Sequence, residues 1–221
     1  MANDAACGGL RDAEHLRRAR QAIRRYRSRR RQARHEIGRR IRCVRAAVVE
    51  LETRSLTLVP CSPEHLLALI DKPDQFEQAF GLPVADGLHE FYVSDDVSPD
   101  WLAALRSSSG PDPWRHGFFV VHRENRSVIG SAGFKGQPDS TGTVEIAYGI
   151  VPSFEGRGYA TEAAAALVDF AFASGQVQMV RAHTLPEANA STRVLLKCGF
   201  HHVSTVVDDD DGPVWRWERG L

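Results

Sequence analysis

The fold is constrained most strongly by a change of hydrophobic period across a short turn that contains two glycines. Residues 143–151 alternate in the two-residue period of a β-strand, and after the turn a helical pattern runs to about residue 173. Gly156 and Gly158 allow a tight turn that brings consecutive N–H groups towards one point, beside the positive end of the helix. The segment therefore predicts an α/β fold in which the turn can hold a pyrophosphate.

Two other phosphate motifs do not fit this turn. A P-loop requires Lys followed by Ser or Thr after its second glycine, where this chain has Tyr159 and Ala160. A dinucleotide-binding loop requires a third glycine, where this chain has Thr161. The remaining alternative is an ordinary strand-to-helix turn without a ligand, because glycine pairs are common in loops.

Strand and helix signals alternate through residues 54–218. Ser62 and Pro63 predict a helix start, and Asn189 and Gly199 predict the cap and the end of the last helix. Further helices are expected near residues 74–80 and 101–105. Strands are expected at residues 54–59, 116–123, 127–134, 143–151, 179–184, 200–207 and 214–218, the last two joined by an acidic turn at 208–212.

The net charge of zero conceals two ends of opposite charge. Residues 1–48 contain 15 Arg, no Lys and 4 acidic residues, a formal charge of +11, whereas residues 49–221 carry −11. We predict a basic extension at 1–48, helical or disordered, and one domain at 49–221. The extension is interpretable as a nucleic-acid contact, as an organellar targeting segment, or as a solvated arm or even upstream sequence translated from a wrongly chosen start.

Other features predict a cytoplasmic protein. The chain has no apolar run long enough to span a membrane and no secretory signal at its N-terminus. Its cysteines are scattered without metal-site spacing or disulfide density, so we expect free thiols and no bound metal. They are Cys7, Cys43, Cys61 and Cys198.

Four motifs together resemble the GNAT acyltransferase superfamily, in its ribosomal-protein alanine N-acetyltransferase branch. The resemblance covers residues of about 50–219. The motifs are Leu51-Glu52-Thr53-Arg54, Val144-Glu145-Ile146-Ala147-Tyr148, Gly156-Arg157-Gly158-Tyr159-Ala160-Thr161-Glu162-Ala163, and Asn189-Ala190-Ser191 with Lys197-Cys198-Gly199-Phe200.

The resemblance implies a mixed, mostly antiparallel sheet of about seven strands flanked by helices, which binds acetyl-CoA where two strands splay apart. The family's pyrophosphate loop falls on Glu155, Gly158 and Ala160, and an acid at 155 departs from the usual Gln or Arg. By this resemblance the cofactor-binding residues are Ile150, Val151, Glu155, Gly156, Arg157, Gly158, Tyr159, Ala160, Thr161, Asn189 and Ser191.

The resemblance also suggests catalytic roles for two residues. Glu145 lies where some members of the family have the base that deprotonates the amine, although it could instead order its strand by pairing with a nearby group. Ser191 is the candidate proton donor to the thiolate, because Leu195 stands where many relatives have a tyrosine. It could equally be a first-turn serine that satisfies backbone groups. His183 is an alternative base or a wall of the substrate site.

Two functions follow as expectations. The first is transfer of acetyl from acetyl-CoA to a primary amine, either a protein N-terminus or a small molecule, by direct attack. The alternative is a non-catalytic acyl-CoA-sensing protein whose basic extension contacts RNA or the ribosome. A monomer and a homodimer are both compatible with the sequence.

Overall fold

The computed structural model of this chain describes residues 49–94, 97–208 and 212–221. The predicted basic extension at 1–48 and most of the acidic turn lie outside the described residues. The strands are β1 (Leu51–Glu52), β2 (Leu56–Pro60), β3 (Phe118–His122), β4 (Ser127–Phe134), β5 (Thr143–Ile150), β6 (Met179–Thr184), β7 (His201–Asp208) and β8 (Gly212–Gly220). The helices are α1 (Pro63–Asp71), α2 (Phe76–Phe80), α3 (Glu90–Val93), α4 (Pro99–Ser107), α5 (Pro113–His116), α6 (Tyr159–Ala173) and α7 (Ala190–Lys197).

The strands form one sheet in the order β1-β2-β3-β4-β5-β6-β8-β7. Every neighbouring pair is antiparallel except β5 and β6, which run parallel because α6 connects them across one face. The predicted fold class, a mostly antiparallel sheet flanked by helices, is confirmed. The described residues form eight strands rather than about seven, because the two-residue β1 is too short to show an alternating pattern.

Helices cover both faces of the sheet at β3. Neighbouring strand residues point to opposite faces, and Phe119 contacts Phe76 of α2 while Phe118 contacts Phe170 of α6, with ring centroids 5.4 and 5.5 Å apart. All five residues of β3 are buried. The core therefore lies on both sides of the central strands and fixes α6, the helix that follows the glycine turn.

Local signals explain where the longer helices begin. The Ser62 hydroxyl accepts a hydrogen bond from the His65 N–H at 3.1 Å, which caps α1. Asn189 caps α7 through the Thr192 N–H at 3.0 Å. The four-residue helices α3 and α5 were not predicted, since one turn carries no readable period, and His116 belongs to α5 rather than to the start of a strand.

Candidate active site

The parallel strands β5 and β6 separate partway along their length. They pair at Thr143 with Met179, Val144 with Val180 and Glu145 with Arg181, and their pairing ends there although both strands continue. Backbone groups that face the opening are therefore free to bind a ligand. A cavity of about 380 Å³ occupies this region. Its lining comes from both faces of the sheet: Lys135, Glu145, Ile146, Ala147, Tyr148, Ala182, His183, Thr184, Leu185, Ser191 and Val214.

A second cavity of about 710 Å³ lies between the glycine turn and α7. Its volume falls within the usual range for small-molecule sites. Tyr148 and Ser191 line both cavities, so the two adjoin at these residues. Eight residues predicted to bind the cofactor line the larger one: Ile150, Glu155, Gly156, Gly158, Tyr159, Ala160, Thr161 and Ser191.

The glycine turn presents a run of unused backbone donors to the larger cavity. Gly156 and Gly158 adopt positive φ angles of 73° and 87°, which favour glycine. Gly158 precedes α6 and has no side chain to cap it. The N–H groups of residues 156–161 donate no hydrogen bond to any described residue. A helix start with free donors fits a diphosphate, so the turn meets the physical requirements of the predicted ligand.

The other three predicted cofactor residues do not line either cavity, and each has a structural contact instead. Val151 is fully buried, and its N–H donates to the carbonyl of Ile129 at 2.9 Å. Arg157 donates to the Ser153 carbonyl at 3.2 Å, and its guanidinium stands 5.4 Å from the centre of the Phe154 ring. Asn189 caps α7. Their proposed contacts with the cofactor therefore remain predictions.

Nine residues that line the larger cavity were not among the predicted cofactor-binding residues: Phe91, Tyr148, Gly149, Pro152, Phe154, Ala190, Arg193, Val194 and Lys197. Arg193, Val194 and Lys197 lie on the face of α7 that continues from Ala190, at helical spacing, and the two basic side chains bring positive charge to an anion site. That spacing was the available signal. Phe91 of α3 also lines the cavity, and a Cβ at Gly149 would lie 2.8 Å from its ring, so glycine at 149 allows α3 to pack on β5.

Glu145 lies in the smaller cavity between two basic groups. Its Oε1 is 2.9 Å from Lys135 Nζ and 3.1 Å from His183 Nδ1, and its side chain is 20% exposed. The His183 nitrogen is buried and is not aligned for a hydrogen bond with that oxygen, despite the short separation. The structure thus brings together the two candidate bases. The ion pair with Lys135 is also the contact expected of a strand-ordering residue.

Ser191 and Tyr148 lie where the two cavities meet. The Tyr148 hydroxyl donates to the Ser191 carbonyl over a long distance of 3.5 Å. Burial, followed by the nearby Cys198 thiol, raises the pKa of Tyr148, so its hydroxyl stays protonated at neutral pH. Leu195 is fully buried in the core. Tyr148 was not among the predicted site residues.

The Glu162 carboxylate binds the start of α6 to the segment between β1 and β2. Glu162 Oε1 accepts hydrogen bonds from the Thr53 hydroxyl and the Ser55 N–H, both at 2.5 Å. Partial burial acts to raise the pKa of Glu162, but these hydrogen bonds outweigh it, and the pKa lies below its usual value. The glycine turn is therefore positioned from both sides, by β5 before it and by Glu162 after it.

A family model, the acetyltransferase (GNAT) domain, matches residues 55–201. The chain belongs to the GNAT acetyltransferase family. The matched GNAT region contains the parting strands, the glycine turn and α7, so the expected family is confirmed by the residues that form both cavities.

Individual GNAT proteins resemble parts of this chain. An uncharacterized N-acetyltransferase of Bacillus subtilis, YjdG, is 31% identical over 111 residues, which are 50% of this chain and 64% of that protein. The match thus spans less than two-thirds of that relative. A ribosomal-protein-S5-alanine acetyltransferase from Vibrio fischeri superposes with a TM-score of 0.53 at 13% identity, over 78% of this chain and 96% of its own.

A second solved GNAT structure has a coenzyme A derivative bound. Mycobacterium smegmatis RimJ in complex with a CoA-disulfide gives a TM-score of 0.51 at 20% identity, covering 75% of this chain and 81% of that one. At identities of 13% and 20%, the two superpositions show a shared fold and do not identify the ligands of this chain.

The described residues of this GNAT chain contain no membrane-spanning helix and no metal-binding group, and their two cysteines are free. None of its helices there is both long and apolar enough to cross a membrane. No group of three or more His, Cys, Asp or Glu side chains is arranged there to hold a metal ion. Cys61 and Cys198 are free, as predicted, and both are buried, while Cys7 and Cys43 lie outside the described part. Burial is the main cause that raises the pKa of both buried thiols, which makes Cys198 a poor nucleophile.

Proposed function

We propose that this chain is an acetyl-CoA-dependent N-acetyltransferase that acetylates a primary amine by direct attack on the thioester. The observation that carries the proposal is that the two cavities adjoin at Tyr148 and Ser191. The larger one ends at unpartnered N–H groups suited to a diphosphate, and the smaller one opens between parted strands beside a carboxylate. Bound acetyl-CoA would supply the activated acyl group.

The backbone supplies most of the binding groups in this proposal. The N–H groups of residues 156–161 hold the diphosphate, with Arg193 and Lys197 adding positive charge. Beyond the last paired residue, the edge of β5 offers free backbone groups from Ile146 to Ile150. These groups orient the pantetheine arm, and a backbone N–H there polarises the thioester carbonyl as negative charge develops on its oxygen.

Glu145 and His183 supply the base. An amine must lose a proton to attack, and a carboxylate with 20% exposure lies in the cavity where the acyl group would emerge. His183, 3.1 Å from that carboxylate, offers a second site for the proton. On the cofactor side of the opening, the exposed Ser191 hydroxyl passes a proton to the departing thiolate and regains one from water. Its hydroxyl makes no hydrogen bond to a described residue.

The acceptor class is a protein N-terminus or a small amine in a cytoplasmic setting. The name of the Vibrio fischeri protein, a ribosomal-protein-alanine acetyltransferase of the same fold, supports a protein N-terminus as one acceptor. The same scaffold serves many acceptors, so the choice depends on the residues around the smaller cavity.

Calorimetry with coenzyme A tests the binding site. We expect wild-type binding, and about tenfold weaker binding by Gly158→Ala, because a Cβ at φ 87° costs about 1–2 kcal/mol or shifts the donors. Gly81→Ala is the matched control, since Gly81 has the same φ of 87° at the end of α2 and lines neither cavity. Equal losses of affinity in both variants would refute the assignment of the turn.

A thiol-release assay tests the reaction itself. The native protein is incubated with acetyl-CoA and a panel of small amines and peptide N-termini, and free thiol is measured with and without each amine. Amine-dependent release together with the acetylated amine by mass spectrometry supports the proposal. Folded protein that binds coenzyme A but acetylates no amine in the panel would count against it.

A further inference from the structure

One face of the sheet beside the smaller cavity is strongly charged. Glu145 pairs in register with Arg181, and Arg181 in turn with Glu218 on β8. His183 pairs with Arg216 across the same two strands. Residues opposite each other in a sheet share a face, so these five side chains extend from β5 to β8 on the side to which Glu145 points.

Each carboxylate on this face has a closer cation, and Arg216 has only a longer ion pair. Glu145 pairs with Lys135 at 2.9 Å. Glu218 Oε1 accepts two hydrogen bonds from Arg181, at 3.1 and 2.9 Å. Arg216 reaches the same oxygen only at 3.6 Å through Nε, which is beyond hydrogen-bonding distance. Its guanidinium therefore has no hydrogen-bonded partner among the described residues.

The unsatisfied polar atoms on this face form a row. Ser204 on β7 pairs in register with Arg216, which pairs with His183 on β6. Ser204 Oγ, Arg216 Nε and His183 Nδ1 are each buried without a hydrogen bond. Buried polar atoms without hydrogen-bond partners are uncommon in folded proteins. The Arg216 side chain is 32% exposed, so a ligand can reach its guanidinium. The guanidinium in the row makes an anion the fitting ligand.

We propose that the acceptor amine carries a carboxylate or phosphate, and that Arg216 with Ser204 binds this group while Glu145 and His183 face the amine. The proposal rests on the acetyltransferase function proposed above. The axes of β5 and β8 are two strand spacings apart, about 10 Å. An extended peptide covers that distance in about three residues. A peptide N-terminus with an acidic side chain in its first three residues matches this span, as does a longer amino acid.

Matched acceptor pairs test the proposal. Two short peptides with amidated C-termini differ only by Glu or Gln at the second position, and the α-amides of glutamate and glutamine form a second pair of small-molecule acceptors. We expect kcat/KM to be at least about tenfold higher for the acidic member of one pair or both. If only the peptide pair shows this difference in kcat/KM, the acceptor is a peptide. If only the small-molecule pair shows it, the acceptor is a small amine.

Variants of Arg216 test whether this residue causes the preference for acidic acceptors. Arg216→Gln should bring the acidic-to-neutral ratio of kcat/KM close to one, whereas Arg216→Lys should retain part of it. Arg115→Gln, at an exposed arginine away from this face, should keep the wild-type ratio. Melting temperature and coenzyme A affinity are measured alongside, so that a folding defect in Arg216→Gln is recognised and the lysine variant decides.

The outcomes separate this inference from the proposed function. Amine acetylation without preference for acidic acceptors, or with a preference that Arg216→Gln leaves unchanged, overturns the anion site alone. Coenzyme A binding with no acetylation of any amine overturns both.

Discussion

At the scale of single residues, two carboxylates near the site are placed for opposite effects. Glu155 is exposed and lines the larger cavity beside the turn proposed to hold a diphosphate. Glu145 is largely enclosed in the smaller cavity with a lysine and a histidine. The first opposes binding of an anion, and the second is suited to accept a proton.

Glu155→Gln should therefore strengthen binding of coenzyme A. Removing one exposed negative charge a few ångströms from a diphosphate is worth about 0.5–1 kcal/mol, or a two- to fivefold lower Kd. Calorimetry at low and high salt checks this, because a gain from charge must shrink as salt screens it. A gain that does not depend on salt would point to a different cause.

Glu145→Gln should lower kcat by about 100-fold or more, the usual contribution of a general base. The affinity for coenzyme A should stay within about twofold of wild type, because Glu145 lies outside the larger cavity. Glu124→Gln, in the exposed turn between β3 and β4, is the control and should leave kcat unchanged. If Glu145→Gln lowers the melting temperature but not kcat, the residue only orders its strand.

At the scale of elements, the site depends on how the start of α6 is held. The helix begins at a glycine without a side-chain cap, so its first turn has free donors and little local stabilisation. Glu162 compensates by binding Thr53 and Ser55 across the domain. The same contact that stabilises the helix start thus leaves its N–H groups available to a ligand.

Glu162→Gln should lower the free energy of unfolding by about 1 kcal/mol at neutral pH, since hydrogen bonds to a partly exposed charged group are lost. The pKa of Glu162 is lowered in the folded state from a reference value of 4.5. Its contribution is therefore complete above that pH and disappears as the pH falls through the folded-state pKa. Urea unfolding at neutral and acidic pH measures the free energy of unfolding of wild type and variant. The difference between the two should shrink in acid, and a difference that does not change with pH would contradict this explanation.

At the scale of the whole molecule, opposite charges are separated along the chain. The family model begins at residue 55, and the charge of +11 precedes residue 49. Both cavities are lined by residues from 91 onwards. The proposed chemistry therefore depends on the acidic body, and the extension is a candidate for a separate interaction.

Removal of residues 1–48 should leave coenzyme A affinity within about twofold of the full chain. If the extension binds RNA, the full chain should show an affinity that falls steeply with salt, and the shortened chain should lose both the affinity and the slope. Binding to RNA over a salt series measures this. Equal RNA affinity in the two chains would exclude the extension as the contact.

Much of the fold was predictable because its signals are local. The glycine turn, the caps at Ser62 and Asn189 and the alternation in residues 143–151 depend on neighbours in the chain, and the structure has each of them where expected. The short elements β1, α3 and α5 were not predictable, since two to four residues show no period and form only against the rest of the fold.

The sequence by itself determined the order of the elements, the turn with free donors and the candidate carboxylate, because backbone conformation and capping are set within a few residues. Tertiary structure decided which side chains meet at the parted strands. The contact of His183 with Glu145, the shared position of Tyr148 and Ser191 and the register of Arg216 with His183 join residues 38, 43 and 33 positions apart. Strand register and core packing bring residues so far apart in the sequence into contact, and no local sequence pattern predicts these contacts.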